Sequence, residues 1–574
     1  MSVPQGFTRR LHSFLTLGLI SVSGVAMAET EFTPPLFDVP AVPQNSVISE
    51  PITPTASAEN QVPPEDDLDV KIRNGWAVLA QQARGVADRS DRLRFPTTTT
   101  TDVRQAWNYS LANDWGSGFY PGIFWILEAQ FSGDWLQSSL QWQEGMKGQA
   151  TDTSTHDVGF KVFPAFRAAY DWTGNDQYKQ TVLTAAQSLS KRYNATVGAT
   201  RSWGSISDTS NFQVIMDNML NIETMFWAAR HGGPSNLFDQ ARNHALSAAK
   251  NHVREDGSSY HLVNYDPVTG SVKSRQTVQG YSNESTWARG QAWGIYGFTM
   301  TYRYTREPIF LDTARKMADY YIAHLPSDKV PYWDFNAPNE TSGAPPVRDS
   351  SAGAIAVAGL LELSVLEKDP LRSATYLTAA KEGLSSLLST PYLAMLKGAS
   401  VLNSNSQAVL LESAYHKKNS LYNQGTSWGD FYLAQALERY RRIKPELRSS
   451  PIAATQASAA QSENPASNAT DSNLSTRWSA EGDNQWLQID LGNSEVIHKI
   501  GVAFYLGDSR TAAFDLDTSV DGVTWNKQLS ARSSGTTNAM EYYDIPDQTA
   551  RYVRLVGHGN TASKWNSVTE LAAF

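Results

Sequence analysis

The sequence predicts two folded domains, an all-α (α/α)6 barrel followed by an all-β sandwich. Three observations carry this prediction. Between about residues 68 and 446, apolar residues recur at i, i+3 and i+4 in one stretch after another. An aromatic returns in equivalent places at Tyr178, Phe238, Phe310 and Tyr376, at spacings of 60, 72 and 66 residues, the weak repeat expected of paired helices set around a ring. Beyond residue 460 the pattern changes to short alternating runs bounded by Gly, Asn and Asp turns.

Residues 1–28 read as a secretory signal: Arg9 and Arg10, an apolar stretch from Leu11 to Val25, then the small-x-small site Ala26-Met27-Ala28. The stretch is short and broken by Ser and Gly, so it does not read as a membrane span; the expected location is periplasmic or secreted. Residues 29–66 carry Pro34, Pro35, Pro40, Pro43, Pro51, Pro54, Pro63 and Pro64 without periodicity, and read as a linker. Residues 67–447 hold the helical domain, with periodic stretches at Val70–Ala87, Gln177–Arg192, Met219–Arg230, Gly290–Tyr304 and Ala352–Leu366. About twelve helices fit this length, and the loops and inner-helix ends of such a barrel form a funnel suited to a ligand. Residues 448–460 are Ser, Ala and Pro rich and read as a second linker. Residues 461–574 give alternating runs at Gln485–Asp490, Lys499–Tyr505, Phe514–Val520, Glu541–Ile545 and Arg551–Val556.

Composition narrows the chemistry. The 574 residues carry 48 Lys and Arg against 57 Asp and Glu, a net charge of −9, which argues against nucleic acid as partner. The C-terminal domain offers no basic patch either, with eight basic and fourteen acidic residues over 452–574. Cysteine is absent, excluding disulfides, thiol catalysis and Cys-ligated metals. Seventeen Trp point to aromatic binding surfaces or a large core.

Three clusters in the helical domain stand out: His156-Asp157-Val158-Gly159-Phe160, Val214-Ile215-Met216-Asp217-Asn218-Met219, and the run from Tyr281 to Gly294. Asp217 lies among Ile215, Met216, Met219 and Leu220. Desolvation there raises a carboxyl pKa, and a second carboxylate such as Asp157 raises one of the pair further. A carboxylic acid kept protonated near neutral pH serves as a general acid. The competing reading is that both aspartates merely cap the helices that follow them. In the third cluster Arg289 suits recognition of a carboxylate, while Trp287 and Trp293 suit packing against sugar rings; a plain core helix accounts for Trp293 but less well for Arg289 and Gln291.

The segment Trp287-Ala288-Arg289-Gly290-Gln291-Ala292-Trp293-Gly294, followed by Tyr302-Arg303-Tyr304-Thr305, resembles the unsaturated glucuronyl hydrolases of glycoside hydrolase family 88. So do Val330-Pro331-Tyr332-Trp333-Asp334-Phe335, Arg348-Asp349-Ser350-Ser351 and Ser427-Trp428-Gly429-Asp430, in family order across the helical domain. The resemblance implies an (α/α)6 barrel, catalytic aspartates at Asp157 and Asp217, and substrate contacts at Trp115, Trp203, His261, Gln279, Trp287, Arg289 and Trp293. Arg289 and His261 are expected to orient polar groups of the substrate. The pattern departs at Val278, where many members carry His before the Gln-Gly matched by Gln279 and Gly280.

The resemblance also implies the reaction. Polysaccharide lyases leave a uronic acid with a C4=C5 double bond at the non-reducing end, a vinyl ether that an acid protonates at C4. Water then adds at C5 and the hemiketal opens, releasing the rest of the sugar. Asp217 is the expected proton donor and subsequent base, with Asp157 tuning it and holding the substrate diol. No cofactor is expected for catalysis.

In the C-terminal domain, Asn468-Ala469-Thr470-Asp471-Ser472-Asn473-Leu474-Ser475-Thr476-Arg477-Trp478 precedes Gln485-Trp486-Leu487-Gln488-Ile489-Asp490-Leu491-Gly492. Arg551-Tyr552-Val553-Arg554-Leu555 and Trp565-Asn566-Ser567-Val568-Thr569-Glu570-Leu571 follow. These runs resemble the discoidin, or factor 5/8 type C, jelly-roll sandwich and carbohydrate-binding module family 32. That implies a structural Ca²⁺ held by Asp471, Asn473, Thr476 and Glu570 with the Asn468 carbonyl, oxygen ligands suited to calcium; an Asx-rich turn without metal is the plainer reading. Arg510, His558 and Trp565 are candidate sugar contacts, and a spacer role for the domain stands beside a binding one.

The expected function is an exported hydrolase that frees the unsaturated uronyl residue from lyase products, ulvan- or glycosaminoglycan-derived among others. Rival readings are an unsaturated rhamnogalacturonyl hydrolase, a polysaccharide lyase and a non-catalytic sugar-binding protein.

Overall fold

The computed structural model describes residues 67–574 apart from 102–104, 132–134, 395–405, 445–448, 451 and 472. The expected signal (1–28) and first linker (29–66) lie outside the described residues. The helices are α1 Asp67–Ala87, α2 Phe119–Gln130, α3 Leu136–Glu144, α4 Val158–Thr173, α5 Asp176–Ser190, α6 Asn218–Asn221, α7 Glu223–Arg230, α8 Asn236–Asn251, α9 Ala288–Thr305, α10 Pro308–Ala323, α11 Ser350–Leu366, α12 Pro370–Leu387 and α13 Ser427–Ile443.

These helices alternate between two rings. Every residue of α2 is buried, as are nearly all residues of α9, α11 and α13. The sequences of α2 and α11 are apolar or small nearly all round, which suits a helix covered on every side; α9 and α13 bury charged residues as well, Arg303 and Arg439 both pairing with Glu362. With α4 and the broken pair α6–α7 these four helices form the inner ring, closing α2 to α4 to α6 to α9 to α11 to α13 and back to α2. Helices α1, α3, α5, α8, α10 and α12 form the outer ring and show one solvent face. An α/α barrel results. The periodic stretch at Met219–Arg230 is split at Ile222 between α6 and α7.

The repeat signal is explained by this layout. Tyr178, Phe238 and Phe310 are each the third residue of an outer helix, and Tyr376 also lies on one. All four pack against the barrel core. Small sheets occupy the mouth: β1 Arg94–Thr99 with β2 Trp107–Leu111, β3 Tyr193–Asn194 with β4 Ala199–Thr200, and β5 Phe212–Ile215 with β6 Leu262–Tyr265 and β7 Val272–Gln276. None of the described helices is long and apolar enough to cross a membrane.

The C-terminal strands are β8 Ala454–Ala457, β9 Trp478–Glu481, β10 Gln485–Phe504, β11 Ala512–Ser519, β12 Asn526–Arg532, β13 Glu541–Asn560 and β14 Trp565–Ala573. Their order is β12-β11-β13-β10-β14-β9, with β8 on the open side of β10. Two pairs of runs that read as separate strands are single long strands. β10 pairs with β13 through both halves, with irregularities between Asp490 and Glu495 and between Ile497 and Lys499. The first half of β10 takes β8 and the second half takes β14, so the long strands turn the corner between two layers. Leu487, Ile489, Val553 and Leu555 point into the core while Gln488 and Arg554 point out.

One boundary needs correction. The expected linker 448–460 contains β8, which pairs Ala454–Ala457 with Asp490–Leu487. Ala-Thr-Gln-Ala has little apolar signal, and its place is set by main-chain hydrogen bonds along an edge. The two domains also touch. The Arg73 guanidinium lies 3.4 Å from the Tyr542 ring centroid, Arg84 Nη2 donates to the Asp471 carbonyl at 3.2 Å, and Ser450 N donates to the Ala573 carbonyl at 2.8 Å.

Candidate active site

The inner helices present their N-terminal ends at one mouth, and each entry supplies a side chain. Trp115 precedes α2, Asp157 stands at the N-cap of α4, and Asp217 at that of α6. Trp287 and Asp349 hold the same place on α9 and α11, and Trp428 lies in the first turn of α13. Helix N-termini carry partial positive charge, so the funnel favours an anionic ring although the chain is acidic.

The capping alternative fails for both aspartates. Neither Asp157 nor Asp217 makes a side-chain cap hydrogen bond, whereas Asp349 does, accepting from Ala352 N. Asp157 Oδ2 accepts from Thr155 Oγ1 at 2.6 Å, and Oδ1 lies 3.2 Å from His156 Nε2. His156 is buried, and its Nδ1 faces Asn221 Nδ2 at 3.3 Å. Taking the amide as donor leaves the proton on Nε2, aimed at Asp157. Asn221 Oδ1 also accepts from Phe160 N at 2.7 Å. Gly159 is required beside it, because a Cβ there would fall 2.5 Å from Asn221 Oδ1 and 2.8 Å from Asn221 Cα.

Asp217 is a strongly perturbed acid. Burial pushes its pKa up to about 7; Arg289 opposes the rise and Asp157 adds to it. His261 Nε2 stands 3.7 Å from Asp217 Oδ2. Burial holds His261 well below its ordinary pKa, with Arg289 adding to the effect, so it is neutral. Its Nδ1 accepts from Val278 N at 3.3 Å, which places the proton on Nε2. Asp217 Oδ2, His261 Nε2 and Trp293 Nε1 are all buried without a hydrogen-bond partner. Three orphaned polar atoms in one spot are an unusual cost in a core, and a substrate hydroxyl or water placed among them would satisfy them.

Aromatic rings wall the site. Trp287 tilts against His261 at 4.4 Å, and Trp203 meets it edge-on at 6.4 Å. Trp115 packs on Trp428 at 4.5 Å and stacks near Tyr415 at 6.3 Å. Trp293 is fully buried beneath, against Phe160 at 5.4 Å. Gln279 Nε2 donates to the Tyr415 carbonyl at 3.3 Å. The Val278 side chain is 41% exposed, so only its backbone N–H serves the site.

Arg289 departs from expectation. It is 1% exposed, and its guanidinium is spent on Asp349 Oδ2 (2.8 Å) and on the carbonyls of Ala414 and Tyr415 (2.7 Å each). It is a strut holding Tyr415 and the Trp287 and Trp428 rings, rather than an open carboxylate clamp. Its position in the first turn of α9 points it to the mouth; what it meets there comes from Asp349, 60 positions along the chain, and from the carbonyls of Ala414 and Tyr415, 125 and 126 positions along. Tyr415 and Asn221 lie beyond local sequence reasoning, because their partners come from other elements, Gln279 and Arg289 for Tyr415 and His156 and Phe160 for Asn221; Asn at 218 and 221 in an apolar run is the legible hint.

In the sandwich, the calcium set comes together. Thr476 Oγ1 donates to Asp471 Oδ2 at 2.8 Å and to the Asn473 carbonyl at 2.8 Å, with the Asn468 carbonyl at 3.5 Å. Asn473 N donates to Glu570 Oε1 at 2.9 Å. Burial raises the Asp471 pKa. An all-oxygen set with two carboxylates meeting in a half-buried loop fits a hard cation. Of the candidate sugar contacts, His558 is held between Asp483 (2.7 Å) and Asp515 (3.1 Å), which raises its pKa. Trp565 is half-buried, and Arg510 lies 5.2 Å from the Tyr505 ring.

Comparison with known proteins agrees with this geometry. Residues 88–442 match the model of Glycosyl Hydrolase Family 88, and residues 453–571 match that of the F5/8 type C domain. An unsaturated glucuronyl hydrolase of Formosa agariphila is 38% identical over 339 residues, 58% of this chain and 81% of its own. An unsaturated chondroitin disaccharide hydrolase of Streptococcus pyogenes serotype M1 is 34% identical over 366 residues, 60% of this chain and 85% of its own. A crystal structure of an unsaturated glucuronyl hydrolase specific for heparin superposes with a TM-score of 0.60 at 33% identity, covering 66% of this chain and 98% of that one.

Proposed function

The chain belongs to glycosyl hydrolase family 88, and from that premise we propose that it works by hydrating the C4=C5 bond of the terminal unsaturated uronyl residue. It is a glycoside hydrolase that removes unsaturated uronic acid from oligosaccharides. The hydration route and the roles of the residues are the added reading. The single observation that carries it is Asp217: a mostly buried carboxyl with a pKa raised to about 7, facing neutral His261 and close enough to Asp157 to feel its charge.

Protonated Asp217 gives its proton to C4. The new C–H bond forms from the C4=C5 electron pair, and positive charge appears at C5, shared with the ring oxygen. Water attacks C5 and gives one proton back to the Asp217 carboxylate, which restores the acid. The resulting C5 hemiketal opens by breaking its bond to the ring oxygen, leaving a ketone at C5. The hemiacetal at C1 then collapses to an aldehyde and expels the remaining sugar with a hydroxyl group. One water is consumed and no proton is left over. Asp157, fixed by Thr155 and His156, accepts from the ring hydroxyls and sustains the raised pKa of its neighbour. His261 donates its Nε2–H to a substrate hydroxyl or to the water. The separation rules for inverting and retaining glycosidases do not apply, because the glycosidic oxygen is not the atom protonated.

Relatives named for chondroitin disaccharides and for heparin support a sulfated or unsulfated glycosaminoglycan-type product as substrate; algal products such as those of ulvan share the same terminal ring. We place the enzyme outside the cytoplasm, on the pattern from Arg9 to Ala28. In the sandwich, Asn468, Asp471, Asn473, Thr476 and Glu570 would hold a calcium ion that ties two loops together and takes no part in the reaction.

Absorbance of the conjugated double bond tests the reading. It falls as the hydrolase consumes an unsaturated disaccharide and rises for a lyase acting on polymer. Asp217→Asn is expected to abolish the fall while leaving disaccharide binding near its original strength. Substantial turnover in that variant removes Asp217 from its role.

A further inference from the structure

A second cavity, of about 290 Å³, lies between the barrel and the sandwich, away from the mouth. That volume stands near the lower end, roughly 300 Å³, of ligand pockets, and domain interfaces are among the places where such pockets concentrate. Helix α1 supplies Arg73, Asn74 and Trp76 to one wall, Phe131 follows from the end of α2, and Tyr542 comes from β13.

Trp76 is 4% exposed, and its indole Nε1–H has no hydrogen-bond partner. A buried donor left unmet is a cost that folded chains normally avoid. Around it the wall alternates in kind. The Trp76 ring meets Phe131 edge-on at 6.3 Å, and the Arg73 guanidinium spreads over the Tyr542 ring at 3.4 Å. Ring faces take the C–H side of a sugar, indole and amide groups take its hydroxyls, and a guanidinium takes a carboxylate. Glu570 reaches the rim, but its Oε1 already accepts from Asn473 N, among the residues proposed to hold calcium.

We propose that this interdomain cavity is a binding site for an acidic monosaccharide, with its carboxylate toward Arg73 and a hydroxyl accepting from Trp76 Nε1–H. Such a ligand touches both domains at once, so occupancy stabilises their junction by mass action. The site is separate from turnover, and it gives the sandwich a role in sensing the class of sugar that the barrel handles.

The test uses the full chain and free D-glucuronate as probe, with D-glucose as the neutral comparison. Calorimetric titration should show saturable binding of glucuronate, a rise in melting temperature with its concentration, and little response to glucose. Trp76→Phe keeps the ring and removes the donor; it should weaken glucuronate binding about ten-fold, the size of one lost hydrogen bond, and leave turnover of an unsaturated disaccharide unchanged. Trp287→Ala, at the mouth, should leave glucuronate binding intact. Arg73→Gln should abolish the preference for glucuronate over glucose; if that variant does not fold, Trp76→Phe alone decides the matter. The proposal is overturned by absence of saturable binding, by equal affinity for glucose, or by binding that survives Trp76→Phe and disappears in Trp287→Ala.

Discussion

Asp217 and Asp157 are both N-cap aspartates in sequence, yet their environments separate them. Asp217 is mostly withdrawn from solvent, at 13% side-chain exposure, which raises its pKa to about 7, and the charge of Asp157 adds to that rise. The sign of the pH response follows. With protonated Asp217 as the proposed proton donor, activity is expected to hold below its pKa and to fall as pH climbs through about 7. Asp157→Asn removes a like charge, so the Asp217 pKa drops and the alkaline limb of the kcat/KM profile moves to lower pH. A pH–rate series on the two proteins measures this directly; a limb that stays in place shows that Asp157 does not act on Asp217. Maximal turnover should also fall, since the carboxylate that accepts from the substrate hydroxyls is lost.

At the scale of elements, the site depends on six helix entries and on the struts between them. Arg289 joins the start of α9 to Asp349 at the start of α11 and to the 414–415 carbonyls. Both charged side chains are buried, at 1% and 0% exposure. Removing one partner of such a pair costs about 3–5 kcal/mol, because the other is left uncompensated. Arg289→Met is therefore expected to lower the unfolding free energy by that amount, read by denaturant titration, and to raise KM as Tyr415 and Trp428 loosen. Adding Asp349→Asn to Arg289→Met should recover part of the stability, a non-additivity that a double-mutant cycle reads out. An open clamp for the substrate carboxylate would instead show a KM effect with little change in stability.

Across the whole molecule, Arg84 of α1 donates to the carbonyl of Asp471, the first carboxylate of the proposed calcium site. Calcium at the proposed site would stabilise the sandwich and, through Arg84, its seat on the barrel. Treatment with a calcium chelator should lower the melting temperature of the full chain, and added calcium should restore it. Asp471→Asn should remove most of that response while the initial rate on an unsaturated disaccharide stays near its original value; an unchanged melting temperature on chelation counts against the site. The Trp excess is also a property of the whole: thirteen of the seventeen lie between Trp76 and Trp428, in the barrel. Some line the mouth and others, such as Trp125, Trp135 and Trp142, fill the core.

Local sequence determined much of this protein. The 3.6-residue periodicity and the returning aromatics on the outer helices specified paired helices, since an amphipathic helix must bury one face. The motifs around Asp157, Asp217 and Trp287 lay at helix entries because the residues that begin a helix are local to it. Tertiary structure decided the rest. Whether an N-cap aspartate caps its helix or faces a mouth depends on what surrounds it, and only the closed ring brings Asp157, His261 and Arg289 around Asp217. Arg289 became a strut because Asp349 and the 414–415 carbonyls meet it across the ring. The strand β8 was hidden because an edge of Ala, Thr and Gln is held by backbone hydrogen bonds, which leave little mark on side-chain pattern. The pKa of Asp217 likewise belongs to the fold, because desolvation is a property of everything packed around a carboxyl group and not of the residues beside it in the chain.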